Sequence, residues 1–184
     1  MRPVLLTFWI SLDGYSGLDE GTELRRVMNE IEDPDQEKHF VAWLGSAGTH
    51  IMGGVTYQEM AEFWPKSDHP IAGPMNDIPK VVFSRTLDSA GWPEARIARG
   101  DTAAEIARLK EEPGAPIIAH GGTQFVRSLI RLGLIDEYHL WVLPAAAGTG
   151  AALFAGLDHP LPLQLITSRA FPSGILELVY TPRR

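Results

Sequence analysis

From residue 3 to residue 144 the chain repeats one arrangement. A short run of β-branched, aromatic and aliphatic residues stops at a glycine or a small polar residue, and a helical spacing of apolar side chains follows. Pro3-Val-Leu-Leu-Thr-Phe-Trp-Ile-Ser11 reads as a strand broken at Asp13-Gly14. "DPDQEKHFVAWLGSAG" predicts a helix over residues 35–45, with Asp33 or Asp35 at its start, Phe40, Val41 and Leu44 on one side and Gly45 at its end. "THIMGG" predicts a strand and "VTYQEMAEFW" a helix stopped by Pro65, while residues 65–79 carry four prolines and read as a surface loop. "KVVFS", "ARIARG" and "APIIAH" are three more short strands. Thr102 and Glu105 have the spacing of a capping box, opening a helix to residue 111. "GTQFVRSLIRLG" is a helix with Phe125, Leu129 and Ile130 inward, followed by the strand "IDEYHLWVLP". Strands joined through helices must run parallel, because the crossover returns the chain to the same end of the sheet. The tail breaks the rule: "LPLQLITSRAF" and "GILELVYTP" form a hairpin turning at Pro172-Ser173-Gly174, so antiparallel strands close one edge. No internal repeat or linker interrupts this, and the expectation is one mixed α/β domain spanning residues 1–184.

Composition narrows the function classes. Sixteen Lys and Arg against 23 Asp and Glu give a net charge of −7, which opposes nonspecific attachment to nucleic acid or anionic lipid. Without cysteine the chain has no disulfide, thiolate nucleophile or Cys-based metal site. The first apolar segment holds Thr7 and ends without a small-residue cleavage pattern, so it reads as a buried strand rather than a signal peptide. No window supplies the roughly 18 apolar residues of a membrane helix, and a cytoplasmic protein is expected. His50, His120 and His139 fall in or beside strands with no metal-ligand spacing, which predicts structural histidines and no metal site, with contact to a cofactor as the alternative for His120, which borders the Gly121-Gly122 turn. The chain has no Walker motif and no Gly-x-Ser-x-Gly elbow. Gly148-Thr-Gly-Ala-Ala-Leu153 lacks the last glycine of a dinucleotide fingerprint and is expected to be a loop.

The chemistry is expected where strands end, since ligands of open α/β sheets gather at the carboxyl ends beside helix N-termini. Three such ends share small or polar residues: Gly53-Gly54-Val55-Thr56, Ser84-Arg85, and His120-Gly121-Gly122-Thr123-Gln124. A Gly-Gly pair before a helix has two explanations, a turn that needs positive φ or a backbone that must approach an anion closely.

The order of these motifs carries a resemblance. Ser-Leu-Asp-Gly after the first strand, Gly-x-x-Thr-Tyr-x-x-Met at a helix start, "VVFSRTL", "GGTQFVRSLIRLGLIDEYHLWVLP" and "GTGAALF" together resemble the dihydrofolate reductase superfamily. The likeness is greatest to the branch holding the reductase domain of riboflavin biosynthesis, and it runs from residue 4 to residue 180. It implies a three-layer fold around a mostly parallel sheet with antiparallel C-terminal edge strands. It also implies an NADPH-dependent reductase acting on a small pyrimidine- or pterin-type substrate. By that resemblance Gly53, Gly54, Val55 and Thr56 hold cofactor phosphate, Ser84 and Arg85 meet the adenosine 2′-phosphate, and Gly121, Gly122, Thr123 and Gln124 lie against the pyrophosphate. The double glycine would then be there for a phosphate.

Two departures bear on this. Gly54 stands where the family often has Arg, removing one cationic contact, and Gln58 stands where Glu is usual. The proton donor has two candidates. Glu37, on the helix that carries the substrate carboxylate in folate reductases, has Phe40 as an apolar neighbour to raise its pKa, and Asp13 follows the first strand. Trp9 and Trp43 read as core aromatics, with Trp9 able to line a pocket built by the Asp13–Asn29 and Pro65–Pro79 loops. The resemblance implies a homodimer, with "EYHLWVLP" as an interface element. The competing expectation is a nucleotide-binding homo-oligomer that keeps the fold without turnover.

Overall fold

Alternate side chains of the first strand point to opposite faces of the sheet, and in this chain both sets are largely apolar, Thr7 being the polar member. In β1 (Val4–Ile10), Val4, Leu6, Phe8 and Ile10 join one core cluster, while Leu5 and Trp9 join another. A strand buried on both sides needs helices above and below it, and its neighbours can be parallel. The computed structural model, which describes residues 1–16 and 22–183, shows this arrangement.

The remaining elements, in chain order, are β2 (Tyr15–Ser16), α1 (Glu23–Glu30), α2 (Pro34–Leu44), β3 (Thr49–Gly53), α3 (Gly54–Phe63), α4 (Ala72–Asp77), β4 (Lys80–Phe83), β5 (Ala95–Ala98), α5 (Thr102–Glu111), β6 (Ile117–Ala119), α6 (Thr123–Arg131), β7 (Glu137–Val142), β8 (Ala151–Ala152), β9 (Leu163–Ala170) and β10 (Leu176–Pro182). Eight strands form a sheet in the order β5-β4-β3-β6-β1-β7-β10-β9. The pairs from β5 to β7 are parallel, and β10 is antiparallel to both β7 and β9. Ile106 and Leu109 of α5 and Val126, Leu129 and Ile130 of α6 cover one face. Leu24 of α1, Phe40 and Leu44 of α2, Tyr57 of α3 and Met75 of α4 cover the other. This is the expected mixed α/β fold, a mostly parallel sheet between helical layers with an antiparallel edge. The hairpin turns where expected, with Gly174 at φ +87° and its N–H donating to the Phe171 carbonyl at 2.9 Å.

Several local expectations are corrected. The helix at residue 102 is capped not by a Thr102–Glu105 box but by Asp101, whose carboxylate accepts from the Ala104 N–H at 2.8 Å. Glu105 is instead drawn to Arg96 and Arg108. The proline-rich segment contains α4, in which Pro74 sits within the first turn, where its missing N–H costs nothing. In α6 the inward residue is Val126, while half-buried Phe125 stacks on Phe83 with ring centroids 5.1 Å apart. The strand taken as an interface element is filled on both sides: β7 pairs with β1 and β10, and Tyr138 to Val142 are buried within the chain. Among the described residues the free edges of the main sheet are β5 and β9, and β9 is exposed nearly along its length, Leu165 and Ile166 included.

Candidate functional site

Parallel strands bring their carboxyl ends to one side, and there a cleft of about 1430 Å³ opens. All ten residues singled out for cofactor binding line it: Gly53, Gly54, Val55, Thr56, Ser84, Arg85, Gly121, Gly122, Thr123 and Gln124. Residues separated by up to 71 positions in the chain meet because β3, β4 and β6 end side by side.

Two helices point their N-termini at this space, and both lack a side-chain cap. In α1, α2 and α5 the side chains of Thr22, Asp33 and Asp101 satisfy a first-turn N–H. In α3 and α6 the N-cap residues are Gly53 and Gly122, and no side chain does so. Free first-turn amides carry the positive end of the helix dipole, so two such ends in one cleft favour an anion. The starts of α3 and α6 are tied together, for the Thr56 hydroxyl donates to the Gly121 carbonyl at 2.9 Å. Thr123 is tied to β2: Ser16 Oγ donates to the Ala151 carbonyl at 2.9 Å, so the hydrogen between it and Thr123 Oγ1, also 2.9 Å away, comes from Thr123.

The glycines of the cleft answer to different demands. Gly122 has φ +89°, and a Cβ there would stand 2.6 Å from Thr56 Oγ1. The turn itself therefore requires glycine. Gly121 has no positive φ, and its added Cβ would meet Phe8 at 3.6 Å, an ordinary contact. Nothing in the fold demands glycine there, whereas a ligand lying on the backbone would. At Gly54 a Cβ would press on Ser84 Oγ at 3.0 Å. That hydroxyl accepts from the Thr86 and Leu87 N–H groups, shaping the loop after β4. The departure from the family's Arg thus goes with close packing between α3 and Ser84.

The outer end of the cleft is cationic. Arg85 is exposed and makes no hydrogen bond or ion pair among the described residues. Arg99, at the end of β5, also lines the cleft and holds the carbonyls of Leu87 and Asp88 at 2.7 and 3.1 Å. Sequence reading missed Arg99, with Gly100, Asp101 and Thr102. The available signal was a polar residue just past a short strand, the pattern that singled out Arg85.

The inner end is apolar, with Trp9, Phe40, Leu44 and Met75 lining it. Trp9 stacks on Trp141 at 5.4 Å and meets Phe40 edge-on at 5.7 Å. Of the two loops expected to build this region, Ser16, Arg25 and Met28 of the first and Lys66, Ile71 and Met75 of the second line the cleft. Residues 17–21 of the first loop lie outside the described residues.

Neither carboxylate expected to donate a proton lines the cleft. Asp13 is exposed and accepts from Ser11 Oγ at 2.6 Å and from the Ala147 and Gly148 N–H groups at 2.9 and 2.7 Å. These bonds, led by that from Ser11, push its pKa down to about 2, and the group is a fixed anion that anchors the loop after β7. Glu37 turns outward on α2 to His69, 3.3 Å away. Among the described residues the carboxylates on the cleft are Glu59, Glu62 and Asp101. His139 is structural, buried between Glu137 and Glu177, whereas His120 lines the cleft.

The sequence profile of the RibD C-terminal domain matches residues 2–176. The chain belongs to the RibD C-terminal domain family. Among curated proteins it is 28% identical to the uncharacterized protein YyaP of Bacillus subtilis, over 97% of this chain and 94% of that one. Solved structures share the fold. A protein of Shewanella sp. PV-4 provisionally assigned to riboflavin biosynthesis superposes with a TM-score of 0.79 at 22% identity, covering 100% of both chains. The bifunctional diaminohydroxyphosphoribosylaminopyrimidine deaminase/5-amino-6-(5-phosphoribosylamino)uracil reductase of Thermotoga maritima gives 0.67 at 15% identity, covering 99% of this chain and 57% of that one. Dihydrofolate reductase from Enterococcus faecalis, complexed with NADP(H), gives 0.64 at 13% identity, covering 99% and 97%.

Proposed function

We propose that this chain is an NADPH-dependent reductase that delivers hydride to a small pyrimidine- or pterin-type heterocycle. The observation that carries the reading is the convergence of two uncapped helix N-termini with Arg85, which has no partner among the described residues, in one cleft. A dinucleotide with three phosphates suits that set: α3 and α6 offer amides to the pyrophosphate, and Ser84 and Arg85 offer a hydroxyl and a forked cation to the 2′-phosphate. Arg99 supports this end, offsetting the cation that Gly54 removes, and braces the loop that holds Ser84. Reductases among the structural neighbours, one complexed with NADP(H), support the same reading. The cofactor supplies the hydride, so the chain's own task is to orient, exclude water and bind. With Asp13 and Glu37 off the cleft, the proton is assigned to solvent.

Titration with NADPH and NADH, followed by tryptophan quenching, tests the reading. NADPH should saturate, and Arg85→Ala should weaken it about 10- to 100-fold, the loss expected for one or two charge-assisted hydrogen bonds, with NADH little changed. No saturation by either cofactor would end the reductase reading.

A second reading, a nucleotide-binding protein without turnover, draws support from the lack of a carboxylate at the apolar end among the described residues. NADPH bound but never oxidised across a panel of pterins and aminopyrimidines would favour it. If two chains associate, β9, the free edge that exposes Leu165 and Ile166, is the surface to test rather than β7, and sedimentation of Ile166→Lys against the wild type tests it.

A further inference from the structure

At the apolar end of the cleft two buried polar side chains, Thr7 and His120, are only half used. β1 and β6 run side by side with Leu6 opposite Ala119, so Thr7 and His120 come next on the two chains. Both line the cleft, and both are buried. Trp141 Nε1 can only donate, so Thr7 Oγ1, 3.2 Å away, accepts from it. The hydroxyl's own hydrogen is left without an acceptor among the described residues.

The state of His120 follows from a chain of contacts. His50 Nε2 lies 3.3 Å from the Pro74 carbonyl, which can only accept, so His50 carries its proton on Nε2 and presents a lone pair at Nδ1. His120 Nε2 lies 2.8 Å from that lone pair and must donate to it. Burial keeps both rings neutral near pH 7, pushing His50 down to about 4 and His120 well below the ordinary histidine range. A neutral ring has one N–H, so His120 Nδ1 is a fixed lone pair with no partner in the described chain. Nor is it sealed away, since Gln36 Nε2 is the only fully buried side-chain nitrogen or oxygen without a partner among the described residues.

We infer that Thr7 and His120 form a donor–acceptor pair that reads the amide edge, H–N–C=O, of an uncharged ligand group. Thr7 Oγ1–H meets the carbonyl oxygen and His120 Nδ1 accepts the N–H, while His50 and Pro74 act as positioning groups that hold the tautomer. The surrounding Trp9, Phe40, Leu44 and Met75 disfavour an ionised group, which would be desolvated without a counter-ion. The inference rests on the reductase reading of the cleft and narrows it. Two sources present this edge, the carboxamide of nicotinamide and the lactam of a pyrimidine or pteridine substrate.

Calorimetry on the full chain separates them without any mutation. The cofactor arm compares NADPH with its reduced 3-acetylpyridine analogue, which keeps the carbonyl and lacks the N–H. The substrate arm compares lumazine with 1,3-dimethyllumazine, NADPH being present. One pair should differ about 10- to 100-fold in Kd, the consequence of leaving a buried acceptor unpaired. His120→Leu should erase that difference and His50→Phe should shrink it, whereas Thr7→Val should weaken both members of the discriminated pair alike, since both keep the carbonyl. Binding of 2′,5′-ADP, the far half of the cofactor, should stay unchanged in all three. Imidazole ¹⁵N spectra should show both histidines as Nε2–H tautomers at pH 7. Saturable NADPH binding with neither pair discriminated, or a His120 proton found on Nδ1, overturns this inference alone. Failure of NADPH to bind the wild type overturns the cleft reading and this inference together.

Discussion

Replacing Gly121 and Gly122 one at a time by Ala separates what the turn needs from what a ligand needs. In Gly122→Ala the new Cβ meets Thr56 Oγ1 at 2.6 Å with the backbone at φ +89°. Left-handed backbone in a residue with a Cβ costs about 1–2 kcal/mol. Displacing Thr56 forfeits its bond to the Gly121 carbonyl, about 1 kcal/mol more. The sum, about 2–3 kcal/mol, lowers Tm by roughly 4–12 °C at about 2–4 °C per kcal/mol for a chain of this size. In Gly121→Ala the Cβ rests 3.6 Å from Phe8, in ordinary contact, so Tm should move by less than about 2 °C. Yet this methyl group stands on the cleft floor, where the pyrophosphate is proposed to lie, and NADPH should bind at least about tenfold more weakly, a penalty of about 1.4 kcal/mol. Thermal unfolding and NADPH titration of both variants provide the measurement. The double variant Thr56→Ala/Gly122→Ala should be less destabilised than the sum of the singles by about 1 kcal/mol, because the lost hydrogen bond is counted once. If Gly121→Ala binds NADPH like the wild type, close approach is not why that glycine is there. If Gly122→Ala costs less than about 0.5 kcal/mol, the positive-φ argument fails.

Three further outcomes follow. Asp13→Asn should increase amide exchange at Ala147 and Gly148, the partners of the carboxylate, while turnover near pH 7 persists. Because the folded pKa of Asp13 is depressed to about 2, its stabilisation is full above roughly pH 4 and lost as pH falls towards 2, so urea midpoints of variant and wild type should converge there. For the buried histidine pair the lowered folded pKa means that the unfolded state takes up protons first. Stability should therefore fall from about pH 6.5 towards 4, by roughly 3 kcal/mol for His50, and His50→Asn should flatten that slope in urea unfolding. Asp101→Ala should cost about 1 kcal/mol by removing the α5 cap, whereas Thr102→Ala should be nearly neutral; the opposite ranking by thermal melts would restore the capping box.

Much of the fold was legible in the sequence, because short doubly apolar strands and the helices between them are local patterns with few ways to be buried. The parallel direction of the crossover-linked strands followed from crossover geometry, their order in the sheet came only from the structure, and the ten cleft residues followed from where those strands end. Local pattern was a poorer guide where two local solutions competed. Asp101 and Thr102 can both cap a helix, and only the backbone geometry at the start of α5 selects Asp101. The expected proton donors were placed by position along the chain, but Asp13 turns to the loop after β7 and Glu37 to His69, choices made by partners 134 and 32 residues away.

The sequence by itself determined the alternating α/β plan, the antiparallel edge and the set of strand ends that line the cleft, since each depends on side-chain periodicity along a few residues. Tertiary structure alone decided which glycine the turn requires and which it does not, that Arg99 joins Arg85 on the cleft, and that His50 fixes the tautomer of His120. Each of those depends on distances between segments far apart in the chain, which no local pattern encodes.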